Sequence, residues 1–81
     1  LEMRAETVRW PDSLRGVLVM TDCPGCKTDR FRIASNAQFL LRDEPVSFEE
    51  ARAAAASRRY RKVFIAIWRE TGEISSVRIL P

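Results

Sequence analysis

The chain has 81 residues, of which 46% are apolar and 31% are charged, and this composition is typical of one small globular domain and excludes a disordered chain. The formal net charge of +3 permits nucleic-acid binding without requiring it, and the sequence contains no histidine. Without an imidazole, the catalytic arrangements that need a histidine base are excluded, together with the commonest metal ligand.

The chain is expected to divide into an N-terminal arm and a folded domain. Residues 1–15 are polar and are predicted to be irregular, whereas residues 16–81 are predicted to form a single α+β domain. Leu1 and Glu2 precede Met3, which is the expected natural start. No signal segment opens the chain, no apolar run approaches the roughly 20 residues of a membrane span, and two cysteines are too few for a disulfide scaffold. We therefore expect a cytoplasmic protein with reduced thiols and no membrane partner.

Three short strands are predicted before the helix. Residues 16–21 form an apolar run rich in β-branched side chains. Residues 30–34 alternate charged and apolar side chains, which is typical of a strand with one solvated face. Ser35 and Asn36 are predicted to form a turn, and residues 38–42 a third strand.

A capped helix and two more strands follow. Ser47 and Glu50 have the spacing of a capping box, and the alanine-rich segment after them has high helix propensity. Residues 63–68 and 76–80 are predicted strands, joined by a hairpin loop in which Gly72 takes a positive φ. The order β-β-β-α-β-β favours an α+β fold, with a small antiparallel sheet of about five strands and one helix packed on one face.

The predicted strands are apolar on both faces, because Phe64 and Trp68 alternate with Val63 and Ile65 along one of them. One helix covers one face, so an exposed apolar face and a homodimer are expected, with another protein as the alternative partner. The N-terminal arm, through Val8 and Trp10, could instead cover part of the second face and close the core. The residues expected at this interface are Phe64, Trp68, Leu18 and Met20.

The two cysteines lie two residues apart, in the tetrapeptide Cys23-Pro24-Gly25-Cys26. Proline followed by glycine is typical of a type II turn, so the simplest interpretation is a reverse turn flanked by cysteines. These cysteines are either inert or close a strained disulfide across the turn on oxidation. The tetrapeptide also resembles the first knuckle of a zinc ribbon. A structural zinc site takes four ligands, however, and this chain offers two cysteines and no histidine. We expect neither a metal nor another cofactor.

Residues 17–27 also resemble the start of glutaredoxins, in which a strand delivers a CPxC motif to the N-terminus of a helix. The resemblance implies a thiol–disulfide oxidoreductase, in which Cys23 is the nucleophile and Cys26 resolves the mixed disulfide. Elsewhere the sequence shows no paired carboxylates in a catalytic context and no glycine-rich phosphate loop. The leading expectation is therefore a small intracellular binding module that is not an enzyme, and a redox enzyme is the alternative that the motif leaves open.

A basic segment follows the predicted helix. It places four positive charges and one aromatic ring in five residues. Lysine and arginine neutralise phosphates, and Tyr60 or Trp68 could stack on a base, so a nucleic-acid-binding module is a further alternative. The competing interpretation is a solvated helix end, where positive charge stabilises the helix dipole in any case. The residues of this segment are Arg58, Arg59, Tyr60, Arg61 and Lys62, and Arg30 and Arg32, with Arg4, Arg9 and Arg15, could extend the basic surface.

The turn interpretation predicts that replacing both cysteines, by Cys23→Ser and Cys26→Ser together, leaves the fold and partner binding nearly intact. The reason is that no histidine or second ligand pair supports chemistry at these thiols. Circular dichroism and a binding assay on the double variant check this. Lost binding with an unchanged spectrum would contradict it.

Overall fold

The computed structural model describes residues 1–21 and 25–81, which form a curled β-sheet and one α-helix. In chain order the elements are β1 Glu2–Arg4, β2 Val8–Arg9, β3 Val17–Thr21, β4 Thr28–Leu41, β5 Glu44–Val46, α1 Phe48–Ala56, β6 Lys62–Ile67 and β7 Ile74–Leu80. A 3₁₀ turn, Ala5–Thr7, lies between β1 and β2. The α+β class is confirmed, although the described sheet has seven strands where about five were predicted.

The sheet is nearly closed into a barrel. Its strand order is β1-β6-β7-β4-β3-β2, with β5 paired to β4 off this path. β1 and β2 stand at opposite ends of this order, yet only the turn Ala5–Thr7 separates them along the chain. The sheet must therefore curl until its two edges meet. At the β6 edge, the Ala5 N–H donates to the Arg61 carbonyl and the Ile65 N–H to the Leu1 carbonyl, each at 2.8 Å.

The sheet is mixed, so the prediction of an antiparallel sheet is wrong in one place. β4 and β7 pair in parallel, while the other recorded pairs are antiparallel. The predicted turn at Ser35 and Asn36 is also wrong, because β4 runs through both residues as one long strand. In place of a turn, β4 has a register shift between Ile33 and Gln38 in its pairing with β7. A bulge of this kind bends a strand without ending it.

The predicted irregular course of residues 1–15 is wrong where β1 and β2 form. These strands have three and two residues, too few for an alternating pattern to be visible in the sequence. The short strand β5 was not predicted either, because Pro45 within it argues against a strand interior. Arg42, with φ of 59°, makes the tight turn from β4 into β5.

The helix begins where the sequence predicts. The Glu50 N–H donates to Ser47 Oγ at 3.1 Å, and the Ser47 N–H donates to Glu50 Oε1 at 3.4 Å, which completes the capping box. Phe48 and Ala51 are buried, so this face of the helix lies on the sheet. The positive φ predicted for Gly72 is confirmed at 74°, and Gly25 likewise has φ of 82°.

The inner face of the barrel forms the core. Alternation along β6 buries Val63 and Ile65 and leaves Phe64 exposed. Leu18 and Met20 are buried in the same core, so the prediction that they line an exposed interface is wrong. The reason is that the curled sheet covers its own inner face, which a flat sheet with one helix could not do. The rings of Trp10, Phe39 and Phe48 pack together beside the helix, with centroids 5.6 to 6.1 Å apart.

The glutaredoxin resemblance implies a helix directly after the cysteine motif. The structure places strand β4 there, beginning at Thr28, so a glutaredoxin-like fold is wrong for this chain. The alternating residues 30–34 are the reason, because their charged side chains require a solvated face.

We expect Ser47→Ala to lower the free energy of unfolding by about 1 kcal/mol, because the hydroxyl satisfies an amide at the helix start that has no helical partner. Urea denaturation measures the change. Ser35→Ala is the matched control, since Ser35 is exposed and lies in β4 rather than at a cap. Equal midpoints for the two variants would contradict the capping role.

We expect Leu18→Ala to lower the free energy of unfolding by about 2–5 kcal/mol, because it leaves a cavity in the core. Leu14→Ala makes the same chemical change at a side chain that is 47% exposed, and we expect a much smaller effect. Thermal or urea melts of both variants give the comparison. Similar losses at the two positions would mean that Leu18 does not lie in the core.

Candidate functional site

The outer surface of β2, β3 and the first half of β4 carries a row of arginines. Arg9 pairs with Val19, which pairs with Arg30, and Val17 pairs with Arg32. Residues directly opposite each other on neighbouring strands share a face, and Leu18 points into the core, so these side chains point outward. We call this surface the β2–β4 face.

A groove of about 920 Å³ lies at one end of the β2–β4 face, and we call it the hairpin groove. One wall is the loop before β3, where Gly16 approaches Pro11 so closely that a Cβ at position 16 would collide with the proline ring. The opposite wall is the β6–β7 hairpin. The residues that line the hairpin groove are Leu14, Arg15, Gly16, Val17, Arg32, Ile33, Ala34, Ser35, Asn36, Trp68, Glu70, Thr71 and Glu73.

Trp68 is the large aromatic side chain of the hairpin groove and is 48% exposed. Its backbone is fixed, because the Trp68 N–H donates to the Glu73 carbonyl and the Gly72 N–H donates to the Trp68 carbonyl, both at 2.8 Å. Leu14 and Val17 are also exposed in this groove. The hairpin groove therefore presents an exposed ring on a hydrogen-bonded backbone, with apolar side chains around it.

The β2–β4 face and the hairpin groove together are basic. Their four arginines are Arg9, Arg15, Arg30 and Arg32, against two carboxylates at Glu70 and Glu73. Among the described residues, none of these arginines has an ion-pair partner within 4.0 Å. Their positive charge is thus available to an external anion.

The predicted basic segment lies on a different surface. Arg58, Tyr60, Arg61 and Lys62 line a second groove, of about 910 Å³, between the C-terminal end of α1 and the 3₁₀ turn, whereas Arg59 does not line it. We call this the helix-end groove. Lys62 begins β6 and Trp68 follows its end, so the two grooves lie roughly 20 Å apart at about 3.3 Å per strand residue.

The structure thus divides the predicted nucleic-acid residues between two surfaces. Arg30 and Arg32 lie on the β2–β4 face, and four residues of the segment 58–62 line the helix-end groove. The sequence offered Trp68 as a stacking ring and Arg32 as a cation of one basic surface. It did not show that the two line the same groove, because they are far apart in the chain.

Of the predicted interface, Phe64 and Trp68 are exposed. They line different hollows: Phe64 lies with Leu40 and Leu80, and Trp68 lies in the hairpin groove. The homodimer stays a prediction that rests on these two residues.

Cys26 is disulfide-bonded, so the expected reduced thiol is wrong at this position. Cys23 lies outside the described residues, as do the predictions made for it. Within residues 1–21 and 25–81, no group of three or more histidine, cysteine, aspartate or glutamate side chains could hold a metal ion. In the same residues, no helix has the length and apolar character needed to cross a membrane.

Comparison of the chain with protein-family models, curated proteins and solved structures finds no match.

Proposed function

We propose that this chain is a binding module for single-stranded nucleic acid, and that the β2–β4 face with the hairpin groove is its binding surface. The observation that carries the proposal is the row of arginines, without ion-pair partners in residues 1–21 and 25–81, that leads to the exposed Trp68. Proteins that bind single strands combine a positive track for the phosphates with aromatic rings for the bases.

The arginines supply the phosphate contacts. Arg9 and Arg30 flank Val19 on adjacent strands, and Arg32 follows two residues along β4, so the guanidinium groups succeed one another along the sheet. A guanidinium can donate two parallel hydrogen bonds to one phosphate. A chain of phosphates laid across β2–β4 therefore meets a cation at successive positions.

Trp68 supplies the base contact. A half-exposed indole on a hairpin fixed by two backbone hydrogen bonds offers a flat apolar platform at little cost in conformational entropy. The bases of a duplex are stacked on one another and do not present this face, whereas a single strand can place a base on the ring. Val17, exposed in the same groove, extends the apolar contact.

The topology supports the same surface. If β1 and β2 are counted as one interrupted strand and the off-path strand β5 is set aside, the chain forms a five-stranded barrel. The five strands in chain order are then β1 with β2, β3, β4, β6 and β7. The helix lies between the third and fourth of them, and the third and fifth, β4 and β7, pair in parallel. This arrangement resembles the OB-fold, in which the face of strands two and three and the adjacent loops bind oligonucleotides and oligosaccharides. A fold does not by itself define a function, so the likeness supports the surface and the side chains carry the ligand assignment.

The second candidate is a protein-binding module, which includes self-association. The observation that favours it is the collection of Leu14, Val17 and Trp68, all exposed, in one groove. An apolar peptide segment would fill this groove without using Arg9 or Arg30. Both candidates describe a cytoplasmic binding module rather than an enzyme, and substitution of the arginines separates them.

We expect Arg30→Ala with Arg32→Ala to weaken binding of a fluorescein-labelled single-stranded oligonucleotide, measured by anisotropy across a salt series. Each lost phosphate contact lowers the slope of log K against log salt by about 0.7, so the double variant loses about 1.4. Arg59→Ala with Arg78→Ala removes the same charge from exposed positions outside the β2–β4 face and the hairpin groove, and is the control. If both double variants lose the same affinity, Arg30 and Arg32 act only through the overall charge of the protein and do not form a specific site. If the wild-type chain does not bind the oligonucleotide, the proposal is contradicted.

We expect Trp68→Ala to weaken the same binding about tenfold, because stacking of one base on an aromatic ring contributes about 1–3 kcal/mol. Phe64→Ala is the control, since Phe64 is exposed and aromatic but lies outside the hairpin groove. A weakened self-association in Phe64→Ala, without loss of oligonucleotide binding, would favour the predicted homodimer. Unchanged affinity in Trp68→Ala would exclude the base platform.

A further inference from the structure

The helix-end groove lies apart from the surface proposed above and shares no lining residue with the hairpin groove. Its volume of about 910 Å³ lies within the range of about 300–1,000 Å³ that small-molecule sites occupy. The lining residues are Arg4, Ala5, Glu6, Val8, Trp10, Arg52, Ala55, Ala56, Ser57, Arg58, Tyr60, Arg61 and Lys62.

The groove is strongly cationic, with five arginine or lysine residues and one carboxylate, Glu6. Three of the cations have ion-pair partners: Arg4 with Glu6 at 3.7 Å, Arg52 with Asp12 at 3.7 Å, and Lys62 with Glu2 at 3.8 Å. Within the described part of the chain, Arg58 and Arg61 have no carboxylate partner within 4.0 Å. Two guanidinium groups on the rim are thus left to bind an external anion.

The backbone holds this rim in place. The Arg61 N–H donates to the Leu80 carbonyl at 3.1 Å, and the Arg61 carbonyl accepts from the Ala5 N–H at 2.8 Å. Arg61 is therefore fixed between β7 and the 3₁₀ turn. Tyr60, next to it, is half-buried and packs against the core, so its ring is a preformed wall. Ordering such a site on binding costs little entropy.

The opposite wall of the groove has the reverse polarity. It is the last turn of α1, and the last carbonyls of a helix have no intrahelical donor. The Ala54 carbonyl accepts from the Ser57 N–H and Oγ, at 3.1 and 2.9 Å, while Ala55 and Ala56 line the groove. The negative end of the helix dipole lies here and attracts hydrogen-bond donors rather than anions.

Trp10 also lines the groove. Its Nε1 atom is buried, is not accessible from the groove, and has no hydrogen-bond partner among the described residues.

From these features we infer that the helix-end groove binds a nucleotide, which is a phosphate joined to a planar base. The phosphate lies on Arg58 and Arg61, the base lies against Tyr60, and the exocyclic amino group of the base faces the carbonyls at the end of α1. A plain polyanion would satisfy the arginines but not the carbonyl wall. The nucleotide unit can come from a free mononucleotide or from the end of a strand, and both sources present the same chemistry.

The test uses the full chain and isothermal titration calorimetry with AMP, adenosine and inorganic phosphate. AMP is expected to bind more tightly than either of its parts. Arg58→Ala with Arg61→Ala is expected to weaken AMP binding about tenfold or more, because each arginine donates charge-assisted hydrogen bonds. Arg59→Ala with Arg69→Ala removes equal charge outside the groove and is expected to change the affinity less than twofold.

A second pair of variants addresses the base. Tyr60→Phe keeps the ring and is expected to keep AMP affinity, while Tyr60→Leu is expected to reduce it severalfold. Because Tyr60 packs on the core, circular dichroism checks the fold of both variants, and the exposed arginine pair keeps the inference testable if Tyr60→Leu unfolds.

The outcomes separate the two sources and the two surfaces. If Arg58→Ala with Arg61→Ala weakens the binding of both AMP and a single-stranded octanucleotide, the groove takes the nucleotide at the end of a strand. If the double variant weakens the binding of AMP alone, the groove takes a free nucleotide. Loss of octanucleotide binding in Arg30→Ala with Arg32→Ala concerns the β2–β4 face and leaves the helix-end groove unaffected. No AMP binding, equal weakening by the control pair, or inorganic phosphate bound as tightly as AMP overturns the inference.

Discussion

Pairing of the first nine residues with both edges of the sheet is the constraint on which the rest of the structure depends. β1 pairs with β6 and β2 pairs with β3, so one short segment joins the two open edges. Exposed strand edges attract other chains, and closure removes them. Closure also gives the sheet an inside, because Leu18, Val63, Ile74 and Val77 are then buried against one another rather than against a second layer.

Both surfaces follow from this closure. β2 places Arg9 beside Val19 and Arg30, which completes the β2–β4 face. The 3₁₀ turn between β1 and β2 carries the chain past the end of α1 and forms one wall of the helix-end groove. The same nine residues that complete the core therefore place cations on two surfaces. A loss of their pairing is expected to affect stability and binding together, whereas substitution of the exposed arginines is expected to affect binding alone.

The elements with strong local patterns could be predicted from the sequence. The capping box located the start of α1. The apolar segments 16–21 and 63–68 predicted β3 and β6, and alternation predicted β7, each within about two residues of its bounds. The strands of two or three residues could not be predicted, since a period of two needs several residues to be visible. The bulge in β4 and its parallel pairing with β7 depend on contacts distant in the chain, and so does the meeting of Trp68 with Arg32. The site was therefore predicted as a list of cations and aromatic rings, and its division into two surfaces came from the fold.

A titration of the ¹⁵N-labelled chain with a single-stranded octanucleotide, followed by two-dimensional NMR, tests the central claim most directly. The account predicts that the largest shift changes fall on the outward residues of β2–β4 and on the β6–β7 hairpin around Trp68. Amides around Phe64 and Leu40, on the other side of the barrel, should change little. Changes concentrated at Phe64 and Leu40, or a spectrum unaltered at saturating oligonucleotide, would contradict it.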